Sequence, residues 1–392
     1  MPIFAAQKSK NNNPLKLIKR TLQARLNSWL FQGKAIVLTG ARQVGKSTLM
    51  RQIAEAHPDV PTLTLNCDRA EVRTLLENAN LQDLRLLIGQ NRIVIIDEAQ
   101  RVRDIGLTLK LITDNLPDVQ LLVTGSSSFQ LQSRLNEPLT GRKLEYHLYP
   151  ISTAELLESE GLVAVKEKLE SRLIYGSYPD ILLHADHATE FLKNLSGSYL
   201  YQDLLSLDGV RKPALLEKLL TALALQVGSE VSYNELAQTV GSDTKTVEKY
   251  IDLLEKCYVV FRLSAFNRNL RTELKKSRKV YFYDNGVRNA ILNNFNPLEM
   301  RNDIGALWEN FFITERLKRN HYAGHYASCY FWRTTKQQEI DYIEEANGEF
   351  TAFEMKWNPK KTATALPALF QDTYPTKQAA VVTPENYLDW LL

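Results

Sequence analysis

Cysteine is almost missing from this 392-residue chain. There are three, Cys67, Cys257 and Cys329, too far apart for a zinc-ligand spacing and too few for a disulfide framework. Such usage fits a reducing compartment. Glycine (17) and proline (14) are scarce as well, which excludes collagen-like, proline-rich and low-complexity architectures. No apolar run approaches the ~18 residues that a membrane span needs. The opening stretch MPIFAAQKSKNNN has no apolar core of the kind a signal peptide requires. Charge of one sign is also in short supply: 48 basic against 45 acidic side chains leave +3. A nucleic-acid partner therefore has to be argued from where the charge sits. What is present is 44% apolar and 24% charged residues, the balance of a globular protein with real cores. The length suits two or three domains. These features describe a cytoplasmic, multidomain chain without membrane contact.

Residues 1–34 hold seven basic residues (Lys8, Lys10, Lys16, Lys19, Arg20, Arg25, Lys34) and no acid. Leu15, Leu17, Ile18, Leu22, Leu26 and Leu30 recur among them at helical spacing, predicting a basic amphipathic helix. From residue 35 the pattern changes. AIVLTG, TLTLN, RIVIID and VQLLVTG are short, branched apolar runs separated by helical stretches, the rhythm of βαβ units and a parallel sheet. Residues 35–150 form this core, and 151–205 read as a helical lid. The third region, 206–298, reads as helices followed by short strands, and the last, 299–392, as helix, strands and helix.

GARQVGKS, Gly40 to Ser47, follows one apolar run and opens a helical stretch, matching G-x-x-x-x-G-K-[ST] in the strand–loop–helix context it requires. Gly40 and Gly45 let the backbone turn its N–H groups toward phosphate oxygens, and the helix start adds partial positive charge. The nucleotide-binding stretch is thus Gly40, Ala41, Arg42, Gln43, Val44, Gly45, Lys46, Ser47 and Thr48, binding ATP. Lys46 is expected to reach the β- and γ-phosphates, and the Ser47 hydroxyl to ligate Mg²⁺. RIVIIDEAQ ends a buried strand in Asp97, placed to hold the metal through water, and Glu98, placed to activate the attacking water. TLTLN fits an insertion between the two nucleotide strands, as in the additional-strand class of NTPases. Among the polar residues ending VQLLVTGSSS (Thr124, Ser126, Ser127), Ser126 is the expected γ-phosphate sensor. Arg134 or Arg142 is expected to act on a neighbouring copy's nucleotide, Arg142 being preferred.

GARQVGKST, IIDEAQ, VTGSSS, LTGRKLEYHLYPIS and YGSYPDI, in that order, resemble a family of bacterial and archaeal AAA+ ATPases. Its members carry a C-terminal domain similar to restriction endonucleases. The resemblance implies an AAA+ core of the additional-strand type, assembly into a hexameric ring, and DNA as the partner. Many members have Thr where Ser47 stands, which keeps the hydroxyl.

In the third region, VSYNELAQTVGSDTKTVEKYIDLLEKCYVVFRL contains two short helices, with Ser232 and Asp243 at N-cap positions. The alternating strands that follow complete a winged helix-turn-helix. Its second helix would offer Lys245, Thr246 and Lys249 to a DNA groove. Arg262, Arg268, Arg271, Lys275, Lys276, Arg278 and Lys279 face one acid, Glu273, a local charge of +6 suited to phosphate contacts. In the last region, Glu309 sits on an amphipathic helix. Asp341, Glu354 and Lys356 follow on three strands with a turn at Asn347–Gly348. The set is similar to the PD-(D/E)xK nuclease core. The fold expected overall is α/β: a P-loop parallel sheet with a helical lid, then a winged helix-turn-helix, then a small restriction-endonuclease-like domain. The leading expectation is an ATPase that remodels or translocates on DNA, with Holliday junctions one candidate substrate. The alternatives are an ATP-regulated, Mg²⁺-dependent nuclease, and a regulatory ATPase working through protein partners.

Overall fold

The computed structural model describes residues 17–126, 139–199, 212–267, 277–334, 338–358 and 366–392. Short helix α1 (Leu22–Asn27) leads into β1 (Ala35–Thr39), α2 (Lys46–Glu55), β2 (Thr62–Asn66), α3 (Ala70–Leu76) and α4 (Leu81–Ile88). Then come β3 (Ile93–Asp97), α5 (Ile105–Asn115), β4 (Gln120–Gly125) and β5 (Lys143–His147). The five strands form one all-parallel sheet in the order β2-β3-β4-β1-β5. Successive side chains of a strand point to opposite faces. Hence Ile36, Leu38, Ile93, Ile95 and Leu122 feed one core, and Ala35, Val37, Val94, Ile96 and Val123 feed the other.

One expectation is overturned here. TLTLN (β2) does not lie between the nucleotide strands; β4 does, and β2 forms the sheet edge beyond β3. Burial explains the exchange. β4 is buried along its whole length and needs a neighbour on each side, whereas β2 exposes Thr64 and Asn66 and is tolerated only at an edge.

Helices α6 (Thr153–Glu160), α7 (Leu162–Glu167), α8 (Leu169–Tyr175), α9 (Pro179–Leu183) and α10 (Ala188–Asn194) occupy the expected lid. Their apolar residues divide between two cores. Ile151, Leu156, Val165 and Leu173 pack with the C-terminal half, while Tyr178, Ile181, Leu192 and Leu195 pack beneath β1. The segment therefore bridges the two halves.

The C-terminal half runs α11 (Pro213–Leu225), β6 (Glu230–Val231), α12 (Tyr233–Val240), α13 (Thr244–Lys256), β7 (Val260–Ala265), β8 (Arg278–Phe282) and α14 (Asn285–Ile291). Next are α15 (Ile304–Ala323), β9 (Ser328–Arg333), β10 (Glu339–Ala346), β11 (Glu349–Met355), α16 (Ala368–Thr373), β12 (Thr376–Val382) and α17 (Leu388–Leu391). Asp243 caps α13 by accepting from the Thr246 amide at 2.9 Å. Seven strands form a mixed sheet in the order β12-β11-β10-β9-β7-β8-β6. β7 and β9 pair in parallel through Ser264–Tyr330 and Ala265–Phe331, so this sheet runs unbroken across the boundary expected at residue 298. Helix α15 lies against it with twelve of its twenty residues buried. Those include charged ones, and they are paired: Arg316 grips Glu344 with two hydrogen bonds (2.9 and 2.6 Å) and Lys318 holds Glu315 at 2.6 Å.

Helix α14 touches the end of α8 so closely that a Cβ at Gly286 would lie 2.1 Å from the Tyr175 carbonyl oxygen. Gly286→Ala is therefore expected to destabilise the chain by about 2–3 kcal/mol, read as a lower urea midpoint. A midpoint equal to the parent's would mean that the two helices separate at no cost.

Candidate functional site

The parallel register brings the C-terminal ends of β1, β3 and β4 side by side, the edge at which open α/β sheets bind ligands. The chain turns at once after Thr39. Gly40 has φ +151°, and a Cβ there would sit 2.4 Å from the Leu148 carbonyl oxygen, so only glycine passes this point. Gln43 (φ 62°) and Gly45 (φ 95°) take left-handed conformations, and α2 begins at Lys46 with no side chain capping it. Its first amides are thus left to a ligand, in the geometry that favours an anion. The Lys46 ammonium is buried and donates to the Gly40 and Ala41 carbonyls at 2.9 and 2.8 Å. A phosphate over the loop would compete with those two oxygens for it.

Ser47 Oγ donates to Asp97 Oδ1 at 2.9 Å, and Thr124 Oγ1 donates to the same oxygen while accepting from the Glu98 amide at 3.1 Å. Glu98 is left-handed (φ 54°), a strained conformation for a side-chain-bearing residue that recurs at functional sites. Gln100 Nε2 donates both to Glu98 Oε2 (2.5 Å) and to Ser126 Oγ (2.9 Å). Sequence reasoning assigned no role to Gln100, and it named Thr124 only among the candidate γ-phosphate sensors, not as a partner of Asp97 and the Glu98 amide. The letters were in view, in IIDEAQ and VTG, but their bonds cross between strands. The Ser47 hydroxyl and Asp97 carboxylate are hard oxygen donors side by side, and they fit Mg²⁺. Bound there with a nucleotide, the ion would neutralise phosphate charge.

A cavity of about 310 Å³ opens onto this edge. The polar part of its lining includes Arg20, Gln43, Lys46, Ser47, Glu98 and Asp180, and Leu17, Ile18, Ile151, Pro179 and Leu183 supply an apolar recess. A polar mouth joined to an apolar recess of this size suits a nucleoside polyphosphate. The recess comes from segments that carry no motif. Of the two arginines expected to act on a neighbour, Arg142 pairs with Asp114, which raises its pKa, and Arg134 lies outside the described residues, as does Ser127.

In the C-terminal half, the fold brings Glu309 (α15), Asp341 (β10), Glu354 (β11) and Lys356 into one charged cluster. Lys356 holds Glu354 at 2.6 Å, and the Met355 amide donates to Asp341 at 2.8 Å. Tyr281 OH donates to Glu309 at 2.5 Å. Lys279 is a correction to the sequence reading. Expected on an open basic hairpin, it is 3% exposed, bonded to Glu309 (3.2 Å) and Glu339 (2.6 Å) over the Phe331 ring. The inward face of β8 carries it into the cluster, where the carboxylates offset its desolvation. Two further members of the basic segment are also engaged. Arg262 pairs with Asp252 and Glu255, and Arg278 with Glu248 and the Tyr233 ring. Arg268, Arg271, Lys275 and Lys276 lie outside the described residues, while Lys245 and Lys249 are exposed on α13. Among the described residues no group of three or more His, Cys, Asp or Glu side chains is arranged to hold a metal ion. The cations beside these carboxylates are two lysines of the chain itself, Lys279 and Lys356.

Burial, and next the Asp341 charge, push the Glu309 carboxyl up to about 7 from 4.5. Asp341 and Glu354 move the same way, mainly through burial. Across that window the folded chain holds more protons than the unfolded one, so this group's contribution to stability is lost as pH rises. The urea midpoint is expected to fall between about pH 5 and about pH 8, and Glu309→Gln to flatten the fall. Equal slopes for parent and variant would place the titration elsewhere. At the phosphate loop, Glu98→Gln is expected to leave ATP binding intact while lowering the hydrolysis rate by at least about 100-fold. Retention of the parent rate would remove Glu98 from the chemistry.

Comparison with known proteins agrees with this geometry. A family model for an AAA domain matches residues 32–157, and models for two domains of unknown function (DUF8612 and DUF4143) match 166–298 and 304–390. An uncharacterised protein of Mycobacterium tuberculosis, Rv2008c, is 30% identical over 350 residues, covering 86% of this chain and 74% of the relative. The uncharacterised protein MJ1544 of Methanocaldococcus jannaschii is 23% identical over 348 residues, 84% of this chain and 75% of its own length. Among solved structures, the Walker-type ATPase PABY2304 of Pyrococcus abyssi aligns over 70% of this chain and 96% of its own at 18% identity, with a TM-score of 0.48. No helix among the described residues is long and apolar enough to cross a membrane. The phosphate loop, the AAA-domain match and the mycobacterial relative together establish that the chain belongs to the AAA-type P-loop ATPase family.

Proposed function

We propose that this ATPase couples ATP binding and hydrolysis to DNA binding, and to remodelling of or translocation on duplex or branched DNA, four-way junctions included. The observation that carries the ATP half is Lys46, Ser47 and Glu98 lining one cavity, with Asp97 bonded to Ser47 beside it. Lys46 exchanges its two loop carbonyls for the β- and γ-phosphates, and the amides of residues 40–47 take the remaining oxygens. Glu98, oriented by Gln100, accepts a proton from the attacking water, and Ser126, on the same amide, marks where the γ-phosphate ends. The apolar recess receives the base. In a hexameric ring, Arg142 or Arg134 of a neighbouring copy would face the transferred phosphate, and Arg142 would first have to leave Asp114.

The DNA half rests on the order α11-β6-α12-α13-β7-β8, which supports a winged-helix reading, and on the exposed Lys245 and Lys249 of its second paired helix. The C-terminal unit is read as a restriction-endonuclease-like platform that does not cut, because Lys279, a cation outside the expected set, already occupies Glu309. A second reading, a switch acting on protein partners, is favoured by Arg262, Arg278 and Lys279, whose charges are satisfied inside the unit.

Hydrolysis rates measured without DNA and with single-stranded, duplex and four-way DNA separate these readings. A rise of at least about threefold with one form is expected, lost in Lys46→Ala. The double variant Lys245→Ala, Lys249→Ala is expected to weaken DNA binding and flatten its logarithmic salt dependence by about two units. A rate indifferent to every form favours protein partners, and no hydrolysis by the parent overturns the ATPase itself.

A further inference from the structure

Arg20 is a basic residue of an N-terminal segment whose charge suggested solvent or polyanion contact, yet it is 4% exposed. It lines the nucleotide cavity, and its guanidinium spans four partners. Nη1 donates to the Val44 carbonyl inside the phosphate loop at 2.8 Å. Nη2 donates to the Tyr149 carbonyl beyond β5 (2.6 Å) and to Tyr322 OH on α15 (3.2 Å). Nε donates to Glu155 at 3.0 Å, at the start of α6. Burial weakens the guanidinium's hold on its proton, but Glu155 and Tyr322 beside it together more than offset this and the charge is kept. Each partner is itself tied down. The Glu155 carboxylate closes a capping box with Ser152 and accepts from the Thr21 amide, and Tyr322 OH also accepts from the Tyr149 amide at 3.1 Å.

A phosphate loop works only while its amides face the ligand and its carbonyls face away. Val44 is the residue before Gly45 and Lys46, and its carbonyl is held outward by Arg20. Tyr322 belongs to the other half of the molecule, some 300 residues away in sequence. The same helix holds the cavity wall a second time: Lys318 donates to the Ile151 carbonyl at 3.2 Å, and the Thr153 amide donates to Glu315 at 2.6 Å. Ile151 lines the apolar recess. Buried ion pairs contribute little net stability over apolar packing, whereas losing one partner is costly. What such an arrangement secures is one geometry.

We propose that Arg20 is a positioning residue for the phosphate loop and that Tyr322 sets its place, so that the C-terminal half controls how tightly the nucleotide is held. By linkage the control runs both ways: a nucleotide on the loop stiffens the end of α15.

The test measures the nucleotide affinity, KM and kcat of the parent, Tyr322→Phe and Arg20→Lys, each with its thermal midpoint in the absence of nucleotide. Tyr322→Phe removes one oxygen, and Arg20→Lys keeps the charge beside Glu155 while giving up the fork. The proposal expects KM and the dissociation constant to rise at least about fivefold in both, with kcat changed less than about twofold, the pattern of lost uniform binding. Parental KM and affinity in folded Tyr322→Phe overturn it, as does a loss confined to kcat. Should either variant fail to fold, hydrogen exchange of the parent decides: the amides of Tyr149 and of residues 318–323 are expected to gain protection when ADP is added, and unchanged exchange overturns the proposal. The inference rests on reading this cavity as the nucleotide site, and the arms keep the two apart. A parent that binds no nucleotide defeats that reading, while a parent that binds it with these amides and Tyr322→Phe unaffected defeats only the coupling.

Discussion

A charge taken out of water has to find an opposite charge or a set of dipoles, and along α15 that requirement ties the molecule together. Glu315, Arg316 and Lys318 are almost fully buried on one helix. The bonds of all three run beyond the helix. Arg316 turns to Glu344 on β10, while Glu315 and Lys318, paired with each other, reach Thr153 and Ile151 beside the nucleotide cavity. At the helix end, His321 accepts from the His147 amide at 3.1 Å, and burial together with the Arg25 charge pushes its pKa down to about 4, so the ring stays neutral and free to accept. The two halves cannot slide past one another without leaving several of these groups unpaired, each at a cost of about 1–3 kcal/mol or more. A helix buried on every side thereby becomes a rigid connector some 30 Å long, from its twenty residues at 1.5 Å each.

The nucleotide site inherits this rigidity. The loop amides, Ser47 and Asp97 gather at the edge of the parallel sheet, but the apolar recess is made by Leu17 and Ile18 before α1, Ile151 after β5, and Pro179 and Leu183 of α9. Those segments answer to the C-terminal core as much as to the sheet. A ligand that fills the recess therefore touches Ile18 and Ile151, which pack with the C-terminal core, and a contact of that kind is the structural condition for differential binding to two arrangements of the molecule.

The charged cluster at the far end of α15 shows how chemistry can be assembled and then neutralised. Glu309, Asp341, Glu354 and Lys356 converge on one spot, β8 adds Lys279, and the cations are internal. Three carboxylates with raised proton affinity and two lysines make a compact polar plug between the helix and the sheet. It lies where the sheet continues, through the parallel pairing of β7 with β9, from the segment matched by one domain model into the segment matched by the next.

Much of the catalytic edge is legible in the letters because phosphate loops are local: a strand, a turn that only glycine permits and a helix start lie within a dozen residues, and Asp97 and Glu98 close another strand. The caps at Ser232 and Asp243 and the turn at Asn347–Gly348 are short-range in the same sense, set by side-chain-to-amide bonds and positive φ angles. Strand order was not local. Whether β2 or β4 lies beside β1 depends on which strand has two buried edges, a property of the packed sheet. The fate of the basic residues was not local either. Arg20, Arg262 and Lys279 look alike in sequence, as cations among cations, and folding assigned each its own counter-charge: Glu155, Glu255 and Glu309. Sequence alone determined that a nucleotide loop and its acids are present. Tertiary structure decided what surrounds them, because the desolvation of a charge depends on neighbours brought from hundreds of residues away.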